Sequence, residues 1–369
     1  MVYLPFIFLV LFFFWGCDNN TVSPICKPDG ERQGFVNFFA KGNPVTLGTK
    51  EVSAKSTEQP EMQVVFTYDF SLQQHEVTRE EFMSLMKGFD FLKDNKPVTN
   101  ITFFDAVLYA NAKSVAEGLD TVYSYEGLSI NSNGNCIGMD GFKFHGNVDG
   151  YRLPTEAEWV YVASLVWDVE KSWNASNSGN VIHEVCTKAS SKNEICDMAG
   201  NAMEWVNDWL GFFRDTTMTN FAGAIQGGAL EERVVKGGAF FTEKNFLNYY
   251  SRGGVYAVTP ASKSDYVGFR LAIGPIPEAS YLNYDGGSEI STLNIVATAQ
   301  KVKKKAGTFR GKLAFRNDAS KNLVYVNYAS PQLFAVEIQD TLNVFHPDIS
   351  PDGNRVAFCT KIEGVSGKS

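Results

Sequence analysis

The hydrophobic pattern divides the chain into unlike parts. Residues 2–15 are almost wholly apolar and carry no charge. The stretch is shorter than the roughly 20 residues a membrane-spanning helix needs. It runs into Gly16-Cys17 and then the polar Asp18-Asn19-Asn20. A short apolar run, a small residue and a cysteine form the pattern of a bacterial lipoprotein signal peptide. The expectation is a signal peptide over 1–16 and lipidation of Cys17, which would tie the protein to a membrane of the cell envelope. The run has no Lys or Arg ahead of it, and Phe14-Trp15 is bulky. An ordinary signal peptide or an uncleaved anchor is therefore the alternative. Residues 17–33 read as a polar tether with Pro24, Pro28 and Gly30.

Beyond the tether, residues 35–48 and 63–70 alternate as strands do. Three helices then open with one device. Thr78 is followed three residues on by Glu81, Thr102 by Asp105, and Thr155 by Glu158. The hydroxyl accepts from a first-turn amide, and the carboxylate accepts from the Thr amide in return. A carboxylate there also suits the positive end of the helix dipole. In the second helix Phe104, Val107, Leu108 and Val115 are expected on one face, with Gly118 as the stop. Residues 120–149, rich in Gly, Asn and Ser, read as a hairpin or long loop, and 167–193 read similarly. Residues 234–241 and 267–273 look like late strands. After Pro275 and Pro277 the character changes. A basic run, 301–305, lies in a linker, and 312–338 alternates as short strands.

Composition narrows the classes. A hydrophobic share of 44% and a charged share of 20% suit a globular protein with real cores. A net charge of −8 argues against nucleic acid as a partner. With Cys17 lipidated, Cys26, Cys136, Cys186, Cys196 and Cys359 remain. An exported protein can form disulfides. Cys186 and Cys196 are close in sequence and form the candidate bridge, which would pin a loop. The odd count leaves at least one thiol unpaired or paired outside the chain.

Four runs carry a family resemblance: His75-Glu76-Val77-Thr78; YRLPTEAEW at 151–159; DMAGNAMEW at 197–205; and RVVKGG at 233–238 with GFR at 268–270. In this order they resemble the formylglycine-generating-enzyme (sulfatase-modifying factor) domain. The resemblance implies an α+β, C-type-lectin-like fold with little regular secondary structure, here over residues 34–276. YRLPTEAEW reads as architecture: Pro154 sets the approach to a helix, Thr155 caps it and Trp159 buries a ring. The resemblance also implies a structural calcium. Its ligands would be the Asp197 side chain, the Gly200 and Ala202 carbonyls and the Glu204 side chain, a hard-oxygen set that Ca²⁺ prefers. Capping carboxylates without metal are the alternative. The family's other calcium site would fall within 173–188, where no ligands are assigned.

The family enzyme oxidises a substrate cysteine to formylglycine with two cysteines and copper. The corresponding positions here are Thr242 and Leu247. Copper(I) prefers soft thiolates, and neither residue supplies one, so copper is not expected. The four histidines, His75, His145, His183 and His346, show no metal-ligand spacing, and Asp285-Gly286-Gly287 is a turn signal. The leading expectation is a lipoprotein whose domain is a non-catalytic binding or scaffold module for an envelope protein, peptide or glycan. The rivals are a divergent oxidase, or another enzyme in the same cleft, and a structural envelope component held in a complex.

The last part differs again. HPDISPDGNRVAF at 346–358 resembles the repeat of TolB-like β-propellers, with Pro351-Asp352-Gly353 as its turn. One repeat cannot close a propeller. A linker over 277–310 followed by a partial, all-β, propeller-like segment over 311–369 is expected, in a sequence cut from a longer protein. A lone hairpin is the alternative.

Overall fold

The structure is a computed structural model. It describes residues 25–26, 32–189, 195–228, 231–253, 258–283, 312–317, 320–327, 335–338, 344–350 and 355–360. The lipoprotein-like start with Cys17, the 301–305 run, the 285–287 turn and the 351–353 turn lie outside these residues.

The three capping pairs open three helices: α1 (Arg79–Leu85), α2 (Phe103–Ala116) and α3 (Glu156–Val166). In each, the cap hydroxyl accepts the amide three residues on, and that residue's carboxylate accepts the cap amide. Gly118, with φ of 74°, follows α2 in the left-handed region that glycine tolerates. The buried face of α2 is only partly the expected one: Phe104 and Val107 are buried as expected. Phe103, Ala106, Val107, Ala110 and Ser114 point inward, Leu108 is half-buried, and Val115 is 66% exposed. Two polar residues cause the rotation. Asn111 exchanges hydrogen bonds with the backbone of Tyr123, and Ser114 Oγ accepts from Tyr151 N. Holding these groups inside turns Val115 to solvent.

The strands are short. One antiparallel sheet runs Ile25–Cys26, Phe35–Phe38, Phe70–Gln73, Ala272–Ile273, Tyr151–Arg152. It lays the start and end of the domain side by side. A second sheet places Met203–Trp209 between Arg233–Lys236 and Phe221–Ala224, with Val267–Phe269 parallel to it. A third joins Pro44–Leu47, Met62–Val65 and Thr217–Thr219. In Met62–Val65, Met62 and Val64 are fully buried while their neighbours are half-exposed, the period of two that a half-buried strand shows.

Two of the expected strands are interrupted. The run at 234–241 ends at Lys236, because Gly237 and Gly238 take φ of 97° and 74°. The run at 267–273 splits into Val267–Phe269 and Ala272–Ile273, which serve different sheets. Arg270 falls at the split, fully buried. Toward the C-terminus, Lys312–Arg316, Leu323–Asn327 and Ala335–Ile338 form an antiparallel sheet, and Val344–Ile349 pairs with Val356–Thr360. Among the described residues, no helix is long and apolar enough to cross a membrane.

Candidate functional site

The glycine pair that ends Arg233–Lys236 opens a cleft. Its volume is about 500 Å³, and its lining includes Val235, Phe241, Thr242, Phe246 and Leu247. A side chain at Gly238 would push aside the tip of Leu247 and would strain the backbone at φ of 74°. Thr242 is held by the turn: its Oγ accepts from Ala239 N at 2.9 Å, and its carbonyl accepts from Ala175 N at 3.0 Å. The two positions singled out in the sequence therefore share one cavity, one as a hydroxyl bonded to backbone and the other as buried hydrocarbon.

Beneath the cleft lies a buried ionic network. Lys236 Nζ is 3.2 Å from Glu156 Oε1, and Arg252 is 2.8 Å from Glu156 Oε2, with about 1% exposure for each side chain. Glu58 accepts from the amides of Lys55 and Arg252. Lys55 Nζ donates to the Arg252 carbonyl at 3.2 Å. Asp208 accepts the Glu156 amide at 2.8 Å. Burial pushes the Lys236 ammonium below its usual range, against the pull of Glu156. Burial likewise lifts the Asp208 carboxyl well above its usual range, and Glu156 adds to this. Beside this network Arg152 and Glu158 form a paired salt bridge at 2.7 Å with no exposure, and Tyr68 donates to Glu158. The YRLPTEAEW run is thus scaffold at Arg152, Thr155, Glu158 and Trp159, while Glu156 pairs with Lys236, which lines the cleft.

A second cluster gathers around the DMAGNAMEW run. Asp197, Gly200 and Asn201 have φ of 56°, 78° and 56°, so the backbone turns repeatedly through the left-handed region. Both Glu204 oxygens accept from Arg270 at 2.7 Å, and Oε2 also accepts from Trp159 at 2.9 Å. Asp197 Oδ2 accepts the Cys186 amide at 2.6 Å. Glu76, absent from the expected ligand set, lies nearby. Its Oε1 accepts from Asn201 at 3.3 Å, while its buried Oε2 has no partner. Burial lifts the Glu76 carboxyl well above its usual range; Asp197 adds to that, and Arg270 opposes it. Burial also raises Asp197.

The oxygens of Glu76, Asp197 and Glu204 do not gather into a metal-ligand group of their own; the case for a hard cation here is one of charge. Three buried carboxylates, Glu76, Asp197 and Glu204, face one guanidinium, and one carboxylate oxygen is orphaned. Glu204 can contribute little, because three of its roughly four lone-pair positions are taken. Asp197 and the Gly200 and Ala202 carbonyls are the more available of the expected ligands.

Cys186 and Cys196 form a disulfide with Cα atoms 5.0 Å apart. Together with Asp197 they are the one group of metal-ligand type among the described residues. The sulfurs are bonded to each other and are not thiolate ligands. In the 173–188 stretch, Trp173 stacks on His183 at 3.6 Å, and the Lys188 ammonium lies 4.1 Å from the Trp173 ring while donating to Ser172 O at 2.7 Å. Cys136, buried and outside the disulfide, donates its thiol to Gly138 O at 3.3 Å, and Cys359 is exposed.

The sequence motifs single out Thr242, Leu247 and the DMAGNAMEW residues. They do not point to Glu76, Lys55, Glu156, Asp208, Arg252 or Arg270 as parts of either cluster. Glu76, Glu156 and Arg270 sit inside quoted motifs, so the signal was a charged residue within a run whose neighbours are apolar. Lys55 and Arg252 carried no such signal.

Comparison with known proteins agrees on the domain. The family model described as "Sulfatase-modifying factor enzyme 1-like domain" matches residues 38–275. A "Chaperone protein LppX" of Paenibacillus barcinonensis is 28% identical over 176 residues, covering 38% of this chain and 62% of that protein. A "Formylglycine-generating enzyme" of Streptomyces coelicolor is 28% identical over 149 residues, covering 33% of this chain and 46% of that protein. The chain thus spans about half the length of these curated relatives. Among solved structures, "Treponema denticola variable protein 1" shares the fold with a TM-score of 0.52 at 23% identity, over 65% of this chain and 95% of that one.

Proposed function

The chain belongs to the sulfatase-modifying factor enzyme 1-like domain family over residues 38–275, and on that premise we propose that its domain works as a non-catalytic binding module. The observation that carries this reading is the cleft wall at Thr242 and Leu247. The family's oxidation depends on copper held by two thiolates. A hydroxyl already engaged by Ala239 N and a buried leucine side chain bind copper(I) poorly or not at all. What remains is a shaped, largely apolar cavity on a rigid scaffold, which suits recognition.

The relative named as a chaperone supports a binding role. The Gly16-Cys17 start supports export and attachment to an envelope membrane through a lipid on Cys17. The C-terminal strands and the HPDISPDGNRVAF run support a propeller-like segment after the domain. The cluster of Glu76, Asp197 and Glu204 supports a structural calcium held chiefly by Asp197 and the neighbouring carbonyls, where the ion would offset buried negative charge.

The deciding experiment is an aerobic assay of the purified chain on cysteine-containing peptides with copper supplied, read by mass spectrometry. No formylglycine is expected. Conversion in repeated turnovers overturns the non-catalytic reading.

A further inference from the structure

The Asn135 side chain is buried, and its carboxamide lies between a lysine and a carboxylate. Lys263 Nζ donates to Asn135 Oδ1 at 2.8 Å. Asn135 Nδ2 donates to Asp105 Oδ2 at 2.8 Å and to the Asn100 carbonyl at 3.2 Å. A donor on one side and two acceptors on the other fix which end of the amide is oxygen. From this row of amine, carboxamide and buried carboxylate we propose a cross-link that the chain forms on itself, with Lys263 Nζ bonded to Asn135 Cγ. The neutral amine adds to the carbonyl carbon, the Cγ–Nδ2 bond breaks, and Nδ2 leaves as ammonia. Asp105 in its protonated form delivers the proton that Nδ2 needs, and the proton shed by Nζ restores it. An amine and a carboxamide become a secondary amide and ammonia, so the step needs no oxidant, reductant or other reagent.

The backbone holds all three groups in place. Phe103 N donates to Pro260 O at 3.1 Å and Asn100 N to Ser264 O at 2.7 Å, which straps the Lys263 loop across the start of α2. Thr102 Oγ donates to Cys136 O at 2.6 Å, and Asp105 Oδ1 accepts from Cys136 N at 2.7 Å, so Asn135 is fixed to the same helix start. Asn131 Oδ1 accepts the Asn135 amide at 3.0 Å. A nitrogen this close to Oδ1 lies within about 4 Å of Cγ, since the C=O bond adds only about 1.2 Å. A small turn of the lysine tip then reaches the roughly 3–3.5 Å from which attack proceeds. Among the described residues no carboxylate forms a salt bridge with Lys263, so its amine sheds a proton without first leaving an ion pair. Lys263 is exposed and trades protons with water, so the bond should form faster as pH rises. Burial raises the Asp105 carboxyl above its usual range, against the pull of Thr102, Asn135 and Cys136, which favours the form that delivers a proton. The bond would join residues 128 apart in the chain.

Tryptic mass spectrometry of the full chain tests this, after a day at about pH 9, where more of a lysine's amine is neutral. Trypsin cuts after Lys113, Lys143, Arg252 and Arg270. The parent is expected to yield a branched species joining 114–143 to 253–270, uncut after Lys263 and lighter than the two peptides together by one ammonia. Lys263→Arg, a change at the surface that keeps the charge, should yield none of it. Asp105→Asn has no proton to deliver and should form the bond about a hundredfold more slowly or worse, the usual worth of a placed acid or base. Thermal unfolding of each variant shows whether it is folded, and the Lys263→Arg comparison stands whatever the change at the helix cap does to stability. Only the separate peptides 114–143 and 253–263 in the parent, with no branched species, overturn the proposal. The same branched mass in Lys263→Arg overturns it too, because the link would then lie elsewhere. Formation at the parent's rate in folded Asp105→Asn overturns the role of Asp105.

Discussion

Arg270 closes on both carboxylate oxygens of Glu204 at 2.7 Å, and neither side chain is exposed. The remaining donors of the guanidinium go to the carbonyls of Gln73, Gln74 and Cys196. One residue at the break of a strand therefore ties the GFR run to the DMAGNAMEW run, to the first sheet and to the disulfide. A buried pair of this kind is favourable only because its geometry and hydrogen bonds are complete.

Removing one partner should therefore be costly. Arg270→Leu leaves Glu204 charged, buried and bonded only to Trp159, and should destabilise the domain by about 3–5 kcal/mol. The double variant Arg270→Leu with Glu204→Gln should lose less than the sum of the two single changes, since it buries no unmatched charge. Urea unfolding of all three variants measures both effects. A single-variant loss below about 1 kcal/mol would show the pair to be dispensable.

The calcium proposal gives a separate expectation. Three buried carboxylates around one guanidinium leave negative charge that a bound divalent ion offsets. A chelator should lower the melting temperature, and added calcium should restore it by mass action, by about 2.7 kcal/mol at a hundredfold excess over Kd. Asp197→Ala should remove that sensitivity while leaving the Arg270–Glu204 pair intact. An identical melting curve with and without chelator would count against the ion.

What the sequence made legible was local. The three capping boxes join residues three apart, and all three form as expected. The family motifs placed the cleft, because Thr242 and Leu247 lie a few residues beyond the glycine pair that shapes it. The ionic clusters were not legible, because their partners are far apart in the chain. Glu204 and Arg270 are 66 residues apart, Glu156 and Lys236 are 80, and Glu58 and Arg252 are 194. No periodicity links such pairs. The reading of α2 failed at Val115 for a related reason. Hydrophobic spacing placed Val115 inside, but Asn111 and Ser114 have backbone partners on Tyr123 and Tyr151 that only the tertiary fold supplies.

Asp208 makes stability depend on pH. Its Oδ1 is buried without a partner, and burial lifts its carboxyl well above the ordinary 3.8. Above that ordinary value the unfolded chain releases the proton and the folded chain keeps it. The unfolded state then binds fewer protons, so stability from this group falls as pH rises. Asp208→Asn retains an acceptor for the Glu156 amide and has no proton to lose. The variant should gain stability relative to the parent as pH increases from 4 to 8, by an amount that grows across the window. Parallel unfolding midpoints of parent and variant through that range would contradict this.

The disulfide offers a test on the loop between the two clusters. Cys186 and Cys196 are ten residues apart, and Asp197 accepts the Cys186 amide. Closing a loop of this length removes about 2–3 kcal/mol of conformational freedom from the unfolded chain. The double variant Cys186→Ser with Cys196→Ser should lose about that much. A reductant should lower the midpoint of the parent but leave the double variant unmoved. Because Asp197 would lose its tethered amide donor at the same time, the calcium response of the double variant should weaken too, whereas the cleft at Thr242 and Leu247 should keep its ligand affinity. A double variant as stable as the parent, under oxidising and reducing conditions alike, would remove the bridge from any role in holding the fold.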